Sequence, residues 1–80
     1  MKELQKEFME MSRYPIFEIE GNDGEHHIFH IEASKKGLKA GGVTNTGFIP
    51  YDGLEVKWDD TFSLDEHLQE LYDRCLKETM

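Results

Sequence analysis

Apolar residues recur along this chain in two rhythms, one helical and one alternating, and their succession predicts the order of elements. Over residues 2–12, Leu4, Phe8 and Met11 return at helical spacing with Lys and Glu between them, which predicts an N-terminal helix. That helix lacks a clear N-cap and sits where chains fray, so only loose docking is expected of it. Pro15 is expected to close it, because the residue before a proline is pushed out of the helical region.

The rhythm then changes to alternation. Phe17 and Ile19 alternate with Glu18 and Glu20, the period of a half-buried strand. "GNDG" supplies turn residues that tolerate positive φ, and a second alternating run follows at once. There Phe29, Ile31 and Ala33 share one face, with Ile28, His30 and Glu32 on the other, so a hairpin is predicted. After "SKKG", "LKAGGV" reads as a third strand, weakened by its glycines and by a lack of large side chains. "TNTG" predicts a turn, "FIPY" a short strand suited by Pro50 to a sheet edge, and "YDG" another turn. "LEVKWD" is then a strand with Leu54, Val56 and Trp58 on one face and Glu55, Lys57 and Asp59 on the other.

The helical rhythm returns at the end. Ser63 and Glu66 match the capping box S-x-x-E, in which each side chain satisfies the other residue's backbone N–H. Leu64, Leu68, Leu71, Tyr72, Cys75 and Leu76 form one apolar stripe, predicting a helix over 64–78. Asp65 and Glu66 suit the positive end of its dipole and Lys77 the negative end. Glu70–Arg74 and Asp73–Lys77 are i,i+4 pairs of favourable orientation. Hairpin-length turns imply antiparallel neighbours, since parallel strands need a crossover of a dozen or more residues. The expected fold is α+β: a small antiparallel meander of four to five short strands, with the C-terminal amphipathic helix on one face and the N-terminal helix beside it.

Length and charge narrow the picture. Eighty residues, 38% hydrophobic, are expected to make one domain spanning 1–80 around one small core. A single cysteine, Cys75, excludes an internal disulfide. There is no apolar run near the ~20 residues of a membrane span and no signal-peptide h-region, so the cytoplasm is the expected compartment. The net charge of −8 argues against direct binding of nucleic acid or anionic membranes. "KKGLK", with Lys35, Lys36 and Lys39, reads as a solvated loop rather than a binding patch.

The candidates for chemistry fall one by one. Gly42 to Gly47 spells G-x-x-x-x-G, but Phe48 and Ile49 follow where a phosphate loop needs Lys and Ser or Thr, and no helix can open at "FIPYDG". A metal needs three or four converging donors. His26 and His30 share a strand face ~13 Å apart, while His27 faces the other way. Clustered imidazoles beside Glu25 and Glu32 point to a pH response instead. Cys75 and His67 lie ~12 Å apart along one helix, too far to act as a nucleophile pair. Asp52, Glu55, Asp59 and Asp60 form a solvated acidic rim, and an 80-residue domain of two layers has little room for a ligand pocket.

What remains is surface. Phe48, Ile49 and Tyr51 stand beside turn residues, and Trp58 is either core or an exposed anchor; these four are the candidate partner surface. The strand at "FIPY" is expected at a sheet edge, which can accept a partner's strand by β-augmentation. The expectation is a small acidic, non-enzymatic protein-interaction or regulatory domain, without cofactor or metal, whose partner is another protein. The chain itself is expected to be a monomer or a weak homodimer. Two alternatives stand beside it: a nucleic-acid-mimicking inhibitor of bacterial or phage type, and an accessory subunit of an enzyme.

Overall fold

The computed structural model describes residues 2–11 and 15–79. Among them the elements are α1 (Lys2–Met9), β1 (Ile16–Glu20), β2 (His26–Ala33), β3 (Gly37–Thr44), β4 (Gly47–Lys57) and α2 (Leu64–Glu78). The strands form one antiparallel sheet in the order β1-β2-β3-β4, so the chain adopts the α+β meander that its turn lengths imply.

Local chemistry makes the turns. Between β1 and β2 the Asp23 carboxylate accepts the Glu25 N–H at 3.0 Å, and the Gly21 N–H donates to the Glu25 carbonyl at 2.9 Å. Between β2 and β3 the Ser34 hydroxyl oxygen accepts the Lys36 N–H, while the Ser34 N–H donates to the Gly37 carbonyl at 2.8 Å. Asn45 and Thr46 alone turn the chain from β3 into β4.

Both helices cover the same face of the sheet. Ile19, Phe29, Ile31, Leu38, Ala40, Leu54 and Val56 point into that layer and are buried, closed from above by Phe8, Leu64, Leu71 and Cys75. In α2 the capping box forms as read: the Ser63 hydroxyl accepts the Glu66 N–H at 3.2 Å, and the Glu66 carboxylate accepts the Ser63 N–H at 3.0 Å. Glu70 and Arg74 pair at 3.6 Å, whereas Asp73 accepts from the Gln69 amide at 3.1 Å.

Three expectations need correction. The N-terminal helix stops at Met9, six residues before Pro15, so the proline does not end it; residue 12 lies outside the described residues. Met11 is exposed and gains nothing from another turn, while Phe8 is buried and Leu4 packs beside it, which docks α1 on the core. Next, β3 is an interior strand rather than a weak one. Its Leu38 and Ala40 are fully buried, and α2 packs over it as well as over β4.

The third correction concerns "YDG", which is not a turn between two strands. β4 runs unbroken from Gly47 to Lys57, so the sheet has four strands among the described residues, not five. Lys39 pairs with Glu55 and Gly41 with Pro50, so Ala40 alone opposes residues 51–54 in a wide bulge. Gly53, at φ +77°, lets β4 arch outward there. Gly41 is required for a different reason, since a Cβ on it would run into the Ile49 carbonyl and the Pro50 Cα.

Candidate functional site

Of the two readings left open for Trp58, the structure shows core. It is 6% exposed, and its indole N–H donates to the Ser34 carbonyl at 2.8 Å. Its ring meets His67 edge-on with centroids 5.2 Å apart. The alternation with Leu54 and Val56 carries it inward, and the buried N–H finds a partner at the β2–β3 turn.

Phe48, Ile49 and Tyr51 are not one surface. Val43 pairs with Phe48 and Gly42 with Ile49, and successive residues of a strand point to opposite faces. Ile49 and Tyr51 therefore look to the helix side, beyond the helices, and stay 49% and 47% exposed. Tyr51 leans on Phe29 edge-on at 6.0 Å. Phe48 looks the other way and is half-buried beside exposed Val43.

The expected sheet edge is real, and it continues along β4 beyond Pro50. As the last strand in the order, β4 has one side without a neighbouring strand among the described residues. The Trp58 N–H donates to the Lys36 carbonyl at 3.0 Å, continuing the β3–β4 ladder. Main-chain direction alternates along an antiparallel strand. Val56, opposite Leu38, accordingly turns its N–H and C=O toward β3, and Glu55 and Lys57 turn theirs toward the free edge.

An open groove of about 690 Å³ runs beside that edge, between β4 and α2. Val56 and the half-exposed ring of Phe62 supply its apolar part. Glu66, Glu70 and Asp73 line it from α2 beside Arg74, Asp59 lines one end, and Glu55 and Lys57 border it along β4. The expectation of little room for a ligand misses this cleft, which exists because α2 crosses the sheet close to its last strand.

His67 shapes one end of the groove. It is 2% exposed, and both ring nitrogens are used: Nδ1–H donates to the Ser63 carbonyl at 2.7 Å, and Nε2 accepts the Asp59 N–H at 2.9 Å. Phe62 stacks edge-on against the ring at 6.3 Å. The Asp59 carboxylate accepts from the Thr61 hydroxyl at 2.6 Å and the Thr61 N–H at 2.9 Å, bonds that hold its pKa below the usual value. Sequence reasoning weighed His67 only as a ligand or base. Its position between Leu64 and Leu71, on the buried side of α2, was the signal for a core role.

The remaining candidates are dispersed. His26 pairs with Glu18 across the β1–β2 hairpin at 3.1 Å, and His27 lies 3.8 Å from Asp23, two acidic neighbours that the sequence reading did not name. Among the described residues no group of three or more His, Cys, Asp and Glu side chains could hold a metal ion. Cys75 is fully buried, and burial first, then Glu78, pushes its thiol up to about 11. The glycine-spaced loop is the tip of the β3–β4 hairpin and leads into a strand. Among the described residues no helix is long and apolar enough to cross a membrane. Comparison with protein-family models, with curated proteins and with solved structures returns no match.

Proposed function

We propose that this chain is a non-enzymatic protein-interaction domain that receives an extended segment of another protein along the free edge of β4. The observation that carries this reading is the outward main chain of Glu55 and Lys57 beside an open groove floored by Val56 and Phe62. An incoming strand would complete the edge hydrogen bonds and lay alternate side chains into the groove, where contacts can select among sequences. The reducing cytoplasm, where a free buried cysteine such as Cys75 persists, is the compartment we assign to it.

Proline replacement tests the mode of binding. Glu55→Pro and Lys57→Pro each delete an outward N–H and leave the bonds to β3 in place. A partner captured by the native chain should be lost with both variants while the melting temperature stays near the native value. Retention of that partner by both folded variants would rule out the edge as the binding site.

A further inference from the structure

We infer that the segment received at this edge is basic: an extended stretch carrying arginine or lysine at alternate, groove-facing positions. The inference rests on the proposed edge binding and adds the chemistry of what is bound. On a paired strand every second side chain points to the helix side, at intervals of about 6.6–6.8 Å. Those side chains would meet two kinds of surface at once. Near the strand lie Val56 and the ring of Phe62; further out stands the wall of α2 with Glu66, Glu70 and Asp73.

An apolar floor beneath an acidic wall suits a side chain with an aliphatic stem and a cationic head. Arginine fits best, since its stem and planar head can lie along Phe62 while its fork meets a carboxylate. Along the α2 wall Glu66, Glu70 and Asp73 outnumber Arg74, which leaves that wall negative, and Arg74 is already engaged with Glu70 at 3.6 Å. The same balance disfavours a second copy of this chain. Pairing β4 with β4 would bring two such acidic walls together on chains that each carry −8.

Three eight-residue peptides, valine alternating with arginine, with threonine or with glutamate, test this by titration into the 15N-labelled full chain. The arginine peptide should bind most tightly, move the amide signals of residues 55–59 and weaken as salt rises. The double variant Glu70→Lys and Asp73→Lys should weaken it about tenfold or more. A control of equal net charge, Glu20→Lys with Glu32→Lys on the far side of the sheet, should weaken it less than about threefold, as screened distant charges do. Equal weakening by both double variants would reduce the effect to diffuse attraction and overturn the inference.

If the threonine peptide binds as tightly as the arginine peptide, and Glu55→Pro abolishes both, the edge reading survives and the basic specificity falls. If no peptide moves residues 55–59, both fall. A concentration-dependent dimer of the free chain that Glu55→Pro abolishes would make a second copy the occupant and overturn the inference.

Discussion

The ring of His67 joins the start of α2 to the end of β4: its Nε2 accepts the Asp59 N–H at 2.9 Å while its Nδ1–H donates to the Ser63 carbonyl at 2.7 Å. These roles require the neutral tautomer protonated at Nδ1, because a ring carrying protons on both nitrogens cannot accept. Asp59 to Ser63 is thereby held as a bracket at one end of the groove. His67→Ala would leave both backbone groups without their partner and a hole beside Trp58, at a cost of about 2–4 kcal/mol. Urea unfolding measures that loss, and 15N spectra of the imidazole identify the tautomer.

Neighbouring positions on β4 should respond in opposite ways to proline. At position 55 the lost N–H faces outward, so Glu55→Pro should cost no more than about 1 kcal/mol. At position 56 it faces β3, and Val56→Pro should cost about 3 kcal/mol or more through the broken ladder and the lost core side chain. Thermal melts of the two variants check the assignment of the free edge independently of any partner.

The bulge separates two glycines by mechanism. Gly53 needs its φ of +77° but has nothing within 4 Å of an added Cβ, so Gly53→Ala should cost only about 1–2 kcal/mol of backbone strain. Gly41→Ala drives a methyl group into the β4 main chain, and the pairing around Pro50 must shift. The loss should exceed that of Gly53→Ala, by about 1 kcal/mol or more, in denaturant midpoints.

Cys75 links stability to alkaline pH. Its folded thiol ionises near 11 against an ordinary value of 9.0, so protonation is favoured in the native state. The stability this confers is fully present below 9.0 and is lost as pH rises from 9.0 through about 11. Unfolding free energies from pH 8 to 11 should fall, and Cys75→Ala should reduce the slope. At neutral pH a thiol reagent should modify the native chain far more slowly than the unfolded one.

Asp59 gives the opposite sign. Its pKa is depressed, chiefly by the Thr61 hydroxyl, so its contribution is present at neutral pH and is lost as pH falls through the lowered value. Thr61→Val should raise the Asp59 midpoint in an NMR titration without restoring it fully, because the Thr61 N–H still donates to the carboxylate.

Local pattern was a good guide where one short segment contains its own signals. Ser63 and Glu66 announce α2, and the spacing from Leu64 to Leu76 identifies its buried side. "GNDG" between two alternating runs announces the β1–β2 hairpin. Pattern misled where the deciding partner lies elsewhere in the chain. "YDG" has the composition of a turn, yet the pairing of Lys39 with Glu55 and of Gly41 with Pro50 makes it a bulge. The small side chains of β3 looked like a weakness, yet its place between two strands buries Leu38 and Ala40 completely.

The candidate surface divides in the same way. That the strand at "FIPY" lies at a sheet edge follows from Pro50 and chain order. That Trp58 is core depends on the Ser34 carbonyl, 24 residues away, and that Phe48 and Ile49 part company depends on their register with Val43 and Gly42.

By itself, then, the sequence determined both helices, the antiparallel meander, the inward and outward faces of β1, β2 and the end of β4, and the acidic surface. These follow from side-chain period, turn chemistry and charge, which act over a few residues. Only the tertiary structure decided that β4 is one bulged strand, that His67 is a bonded core residue and that a groove lies between β4 and α2. Each of these depends on where α2 crosses the sheet and on how β3 registers against β4, and such long-range packing leaves no mark within any one segment.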